Sequence, residues 1–248
     1  MPQLIAAGDT HQGCVRRRNE DNFCCVSLFP GYLLAAVADG VGGHVGGEVA
    51  SYLCCHRLIL DWKKLFRRIS RPDNARLARL LADTIQRANA DIFRANLEHK
   101  HAMPMCTTLA AAIFTDDMVI VGHAGDSRVY CLRGNSCRKL TVDHTVANEL
   151  QEQGLSDKRY MPGNHVISQA LGATKRIKPE IHSYFRTASD RFLLCTDGLS
   201  NHLRTEELAE CLAAGKHPRE VNHQLLRTTL CRGAVDNVTV ISVLPQTD

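Results

Sequence analysis

The chain has 248 residues, 44% of them hydrophobic and 23% charged, with a formal net charge of +4. That size supports one large domain with a substantial core, and the composition is ordinary for a globular protein. The basic excess is mild and local, and aromatics make up only 5%, which argues against a nucleic-acid partner.

Residues 3–9 and 22–28 read as strands flanking a polar turn. The unbroken apolar run 33–38 has the pattern of a strand buried on both faces. A glycine-rich stretch, Gly40 to Gly47, leads into a helix predicted over 48–69, with Val49, Leu53, His56 and Leu60 as its apolar positions. A second helix is predicted over 74–98, with Leu77, Leu81, Ile85, Ala88 and Ile92 on one face. Residues 107–114 and 118–124 read as paired strands around an Asp116-Asp117 turn, and 129–132 pairs next. The stretch 141–180 is polar and rich in turn formers, with a short helix near 146–153. An irregular stretch of that length is usually functional or mobile.

A strand follows at 191–195. Thr205 is the expected N-cap of the next helix, with Glu206 and Glu207 in its first turn. Pro218 opens a last helix that Gly233 ends, and 238–244 is the final strand. No repeat or linker divides the chain, so one domain is expected over 1–248. Strands at both ends, with helices between and after, predict a strand-rich α+β class and no regular βαβ repeat.

The 11 cysteines include no Cys-x-x-Cys, which reads as reduced thiols rather than a disulfide framework. The N-terminus lacks a basic region followed by a long apolar stretch, and no run approaches the length of a membrane span. A cytoplasmic protein without membrane insertion is expected, with a monomer as the default.

The chemistry lies in four acids placed at ends of apolar strands: Asp39, Asp126, Asp197 and Asp236. One Asp-Gly after a strand is ordinarily a turn. Four acidic strand ends in one chain point instead to clustered carboxylates, which repel one another unless hard divalent cations neutralise them. Two Mg²⁺ or Mn²⁺ ions sharing a carboxylate can activate a water and hold a phosphate in line. Asp39 is the candidate bridge, because Gly40 offers an unhindered adjacent carbonyl. Asp197 and Asp236 are candidates for one ion, and Arg16 is a candidate fork for the phosphate.

The segments Gly13 to Asp21, Val37 to His44, Thr107-Thr108, Ala124 to Arg128, Ser168 to Gly172, Cys195 to Leu199 and Asp236-Asn237-Val-Thr follow one another in a known order. Together they resemble the bacterial type-2C metal-dependent serine/threonine protein phosphatases. The compact size is similar to stand-alone members, including those that oppose a kinase controlling type VI secretion.

The resemblance implies a four-layer αββα architecture, a sandwich of two antiparallel sheets flanked by helices, with the metal site at one end. It implies that Asp39 touches both core ions, the Gly40 carbonyl one, and Asp197 and Asp236 the other. Asp126 would help hold a third ion, and Glu20 and Asp21 would bind metal directly or through water. Arg16 would hold the substrate phosphate, and an activated water would attack phosphorus with no phospho-enzyme. The stretch 141–180 corresponds to the flap beside the site. The implied partners are phosphoserine and phosphothreonine proteins and a cognate kinase.

Two departures stand out. Cys106 precedes Thr107 where Gly is usual, and Val41 follows Asp39-Gly40 where relatives carry Met or a proposed acid histidine. The nearest histidine is His44, which becomes the candidate general acid; metal-bound water and His144 are the alternatives. His56, His123, His165 and His202 read as surface or satisfied core side chains. Asp9 reads as a structural partner of the first strand or of Arg16, and Asp143 and Asp157 as turn formers. The Gly40–Gly47 run misses the dinucleotide spacing, because the third glycine would be Val45. Two classes remain: an active phosphoprotein phosphatase, and a catalytically silent module that binds phosphoproteins or a kinase. Intact acids favour the enzyme.

Overall fold

The computed structural model describes residues 2–41, 46–99, 103–155 and 166–246. Its main strands form two five-stranded antiparallel sheets. In one, β1 (Leu4–His11) lies beside the last strand β12 (Val238–Pro245), followed by β11 (Arg191–Cys195), β8 (Arg128–Arg133) and β9 (Ser136–Lys139). In the other, the order is β10 (Glu180–Phe185), β7 (Met118–Ala124), β6 (Leu109–Phe114), β3 (Tyr32–Ala38) and β2 (Asn22–Phe29). Two short strands, β4 (Gly40–Val41) and β5 (Cys106–Thr107), pair at one end.

The apolar run of β3 shows why the sheets stack. Leu33, Ala35 and Val37 enter the core between the sheets with Phe114, Val121, Phe192 and Ile241. Leu34, Ala36 and Ala38, one pleat away, face α1 (Gly47–Phe66) and α2 (Asn74–His99). The opposite sheet is covered by α5 (Thr205–Ala214) and α6 (Pro218–Cys231). The result is helices, sheet, sheet, helices: the αββα order that the resemblance implied. Two shorter helices, α3 (Val146–Glu152) and α4 (Asp197–Ser200), lie near the site.

The structure corrects several local expectations. The buried face of α1 is Ala50, Cys54, Cys55, Leu58, Trp62 and Phe66, whereas Val49, His56 and Leu60 are exposed. Small thiols and alanine let this helix lie close to the sheet, and hydrophobic periodicity weighted the larger residues on the wrong side. Thr205 is the first helical residue, and the N-cap is Arg204, whose amide donates to Glu207 Oε2 at 2.9 Å. Strands β9 and β10 had no apolar run to announce them, because both are half-exposed edge strands. All 11 cysteines are free thiols, and no described helix is long and apolar enough to cross a membrane.

Topology then places the acids. β3 and β7 both pair antiparallel with β6, so they run in the same direction and end together. β11 runs antiparallel to β12, so its C-terminal end lies beside the start of β12. β1 closes the group, with His11 opposite Val238. Asp39, Asp126, Asp197, Asp236 and the loop after β1 therefore meet at one edge of the sandwich.

Candidate metal centre and active site

A cleft of about 470 Å³ opens at that edge, lined by Arg16, Glu20, Asp39, Gly40, Asp126, Asp197 and Asp236. Asp21 lies just beneath it, and its Oδ2 accepts a hydrogen bond from Thr196 at 2.9 Å. The backbone around Asp39 is held by β5 and β6: its amide donates to Thr108 Oγ1 (3.1 Å), and its carbonyl accepts from Thr107 Oγ1 and the Thr108 amide (2.9 and 2.8 Å). Two Asp-Gly pairs are steric requirements. A Cβ at Gly40 would strike the carbonyls of Gly47 and Glu20, and one at Gly198 would strike the carbonyl of Asn237.

The loop that carries Arg16, Glu20 and Asp21 is tied to β12 by a single side chain. Asn237 Oδ1 accepts from the Glu20 amide at 2.8 Å, while Nδ2 donates to the carbonyls of Gln12 and Arg18 at 2.9 and 2.8 Å. Arg16 donates to Asp236 Oδ2 at 2.8 Å, with the guanidinium half exposed at the cleft mouth. Asp197 opens α4, and its Oδ2 accepts from Asn201 at 3.1 Å.

Electrostatically the cluster is under-compensated. Burial pushes the carboxyl of Asp39 well above the usual range, reinforced by Asp21, Asp197, Asp126 and Asp236. Burial also raises Asp21 to about 7 and Asp126 to about 6, with neighbouring carboxylates adding to both. Asp197 is raised by burial and Asp236; Glu20 is raised by burial against the opposing pull of Arg16. One oxygen each of Asp21, Asp126 and Asp197 is buried with no hydrogen-bond partner. Buried acceptors are paired as a rule. Crowded carboxylates with unpaired hard oxygens are the kind of donor that divalent cations take.

Other expected residues sit elsewhere. His44, Asp157 and His165 lie outside the described residues. His144 is buried behind the Asp126 turn and does not line the cleft: its Nδ1 accepts from the Gly125 amide at 3.2 Å, and its own amide donates to the Gly125 carbonyl at 2.9 Å. It stacks on His123, whose Nε2 bonds the Val142 carbonyl at 2.8 Å. Both Nε2 atoms face Glu180. The Gly125 amide engages Nδ1 of His144 as an acceptor and His123 Nε2 donates to the Val142 carbonyl, which leaves His123 Nδ1 buried without a partner. Asp143 is no turn former: it is buried and takes Arg128 at 2.7 Å and Lys139 at 2.9 Å. Asp9 bonds Asn222 instead of Arg16. His202, read from sequence as a bystander, lies on the cleft wall.

The protein phosphatase 2C family model matches residues 8–230. The chain belongs to the protein phosphatase 2C family. It is a serine/threonine phosphatase, and the silent-module alternative falls away with its relatives. The phosphatase is 31% identical to the serine/threonine phosphatase stp of Listeria monocytogenes over 94% of its own length and 93% of that protein. Its fold matches the catalytic domain of the phosphatase PstP, a structure in complex with two manganese ions, with a TM-score of 0.83, 31% identity and full coverage of both chains. It also matches PppA, a regulatory component of the type VI secretion system in Pseudomonas aeruginosa, with a TM-score of 0.81 and 28% identity over 97% of each chain.

Proposed function

We propose that the phosphatase binds two divalent cations, Mn²⁺ or Mg²⁺, with Asp39 touching both. The Gly40 carbonyl serves one ion, and Asp197 and Asp236 the other. Asp126 helps hold a third, and Glu20 and Asp21 contribute directly or through water. The observation that carries this reading is the set of unpaired buried oxygens on Asp126 and Asp197, which line one cleft with Asp39, and on Asp21 beneath it. The two manganese ions of the PstP relative support it. Bound cations supply a more acidic water and screen the charge of a phosphate ester.

The chain's own residues do the rest. Arg16 stands at the mouth with exposed donors, placed to fork a phosphate's oxygens. Asn237 and Thr196 hold the loop of Arg16, Glu20 and Asp21 against β12 and β11, so the acids are ordered before substrate arrives. His44, by its place in the motif, is the candidate donor of a proton to the leaving alkoxide. The 1–248 chain works as one catalytic domain, with 141–180 as the flap beside the cleft. It acts in the cytoplasm as a monomer, reversing a cognate serine/threonine kinase. Likeness to PppA makes a kinase that controls type VI secretion the first candidate.

The test is hydrolysis of p-nitrophenyl phosphate in Mn²⁺, with and without chelator. Turnover that needs the metal and stops on chelation is expected. Turnover indifferent to chelator rejects the two-metal reading.

A further inference from the structure

The site above explains one end of α1; the other end holds a feature the reaction does not use. The helix starts against the metal centre, where Gly47 packs on Gly40. It runs away for 20 residues, about 30 Å at 1.5 Å per residue. At that far end, Lys64 and Arg68 face Arg76 and Arg79 of α2 across a groove of about 650 Å³. Lys63, Arg67 and Arg71 stand on the same tip, and all seven cations are exposed. Their charge exceeds the chain's whole net charge of +4.

Local acids offset them only in part: exposed Asp83 also lines the groove, and among the described residues it is in no ion pair. Asp61 is taken by Arg57 and Arg87. The Asp73 carboxylate caps α2, accepting from the Arg76 amide at 2.7 Å. Among the described residues, none of the seven is in an ion pair. The placement is also unfavourable to the helix itself. No acid occupies the first turn of α2, and Arg76 and Arg79 sit near its positive pole, where anions are favoured.

The shape narrows the occupant. Half-buried Leu65, Ile69 and Leu80 form an apolar floor beneath the basic rim. Apolar side chains set between cations suit a polypeptide with mixed acidic and apolar residues. No aromatic side chain lines the groove for bases to stack on.

We propose that this groove between α1 and α2 docks an acidic stretch of the phosphoprotein substrate. The proposal rests on the phosphoprotein reading above. Bridging from the groove to the metal centre takes at least about eight extended residues at roughly 3.4 Å each. The substrate thus carries its acidic stretch apart from the phosphorylated residue, and the enzyme reads both.

The experiment uses the full chain in Mn²⁺ with two phosphothreonine peptides. One carries a run of Asp and Glu about twelve residues from the phosphothreonine, a spacing that spans the gap; the other has Ser and Gln in those places. The acidic peptide is expected to show a kcat/KM at least about tenfold higher, through KM, with the advantage shrinking as salt rises. In the variant Lys64→Gln, Arg68→Gln, Arg76→Gln, Arg79→Gln the two peptides become equal, while p-nitrophenyl phosphate is hydrolysed as before. Fluorescence anisotropy of the unphosphorylated acidic peptide on the wild-type chain provides a reading that does not depend on the variant's folding, and binding there is expected. Equal kcat/KM for both peptides on the wild-type chain overturns the docking groove while leaving the phosphatase reading intact. Hydrolysis of p-nitrophenyl phosphate with neither peptide cleaved overturns the phosphoprotein reading itself. Equal peptide rates, together with binding to phosphatidylserine vesicles that the variant loses, reassign the patch to a bilayer and overturn the proposal.

Discussion

Arg16 and Asp236 form an ion pair at the mouth of the cleft, 2.8 Å apart and 220 residues distant in sequence. The same guanidinium lines the cleft, and in the proposed function it is the fork for the phosphate. Arg16 is half exposed and Asp236 about a third exposed, and a solvent-accessible pair contributes about 0–1 kcal/mol to stability. Arg16→Ala should therefore leave the melting temperature nearly unchanged while raising KM for a phosphopeptide, with kcat falling less. Unchanged steady-state constants would remove Arg16 from the site.

Asp39 is the most crowded carboxylate, raised by burial and by four other acids. Asp39→Asn removes one charge from that cluster and keeps the shape. Turnover should fall to background in Mn²⁺, while the chelated variant melts no lower than the chelated wild type. Near-normal rates would exclude Asp39 as the shared ligand.

The raised acids also predict a pH dependence. Burial pushes the Asp21 carboxyl up to about 7, from an ordinary 3.8. Between those two pH values the unfolded chain has lost this proton and the folded chain keeps it, so stability falls as pH rises. Asp126, at about 6, acts in the same direction over a narrower window. Chelated protein should lose on the order of 3 kcal/mol from Asp21 alone between pH 4 and 7. Asp21→Asn should flatten that slope in denaturant melts taken across the window. Mn²⁺ should stabilise most at the alkaline end, where protons no longer compete.

The sheets were legible because most of their strands are central. β3, β6, β7, β11 and β12 are buried on both faces, and their largely apolar sequences read as strands. Edge strands β9 and β10 were not, since Ser136–Lys139 and Glu180–Phe185 are mostly polar, whereas the edge strands β1 and β2 keep apolar residues. Asp39, Asp126, Asp197 and Asp236 stood out because strand ends carry them, and topology brings those ends together. The residues that hold them did not: Asn237 bonds backbone groups and Thr196 bonds Asp21 and the Thr239 amide, all far away in sequence, and a lone Asn or Thr gives no sign of its partners. The buried side of α1 was missed because Cys54 and Cys55, not its larger residues, face the sheet.

Asn237 carries the next prediction. It is buried, and its three bonds join the loop of Arg16 and Glu20 to the start of β12. Asn237→Ala strands one amide and two carbonyls, at about 1 kcal/mol or more each. A loss of roughly 3 kcal/mol is expected in urea melts, along with a weaker dependence of activity on Mn²⁺ concentration at its low end. A variant with wild-type stability would show that the loop holds itself.

His144 separates positioning from proton donation. Its ring accepts from the Gly125 amide and Gln169, and its carbonyl accepts from Ser168, so it joins the turn before Asp126 to the later part of the 141–180 stretch. p-Nitrophenolate leaves without needing a proton, whereas the alkoxide of a phosphothreonine needs one. If His144 supplied that proton, His144→Ala would spare p-nitrophenyl phosphate and slow only the peptide. Its burial behind the cleft predicts the opposite. Both substrates should slow by a similar factor, and stability should drop by about 1–3 kcal/mol as the Gly125 amide loses its partner. A selective loss on the peptide would return His144 to the proton path.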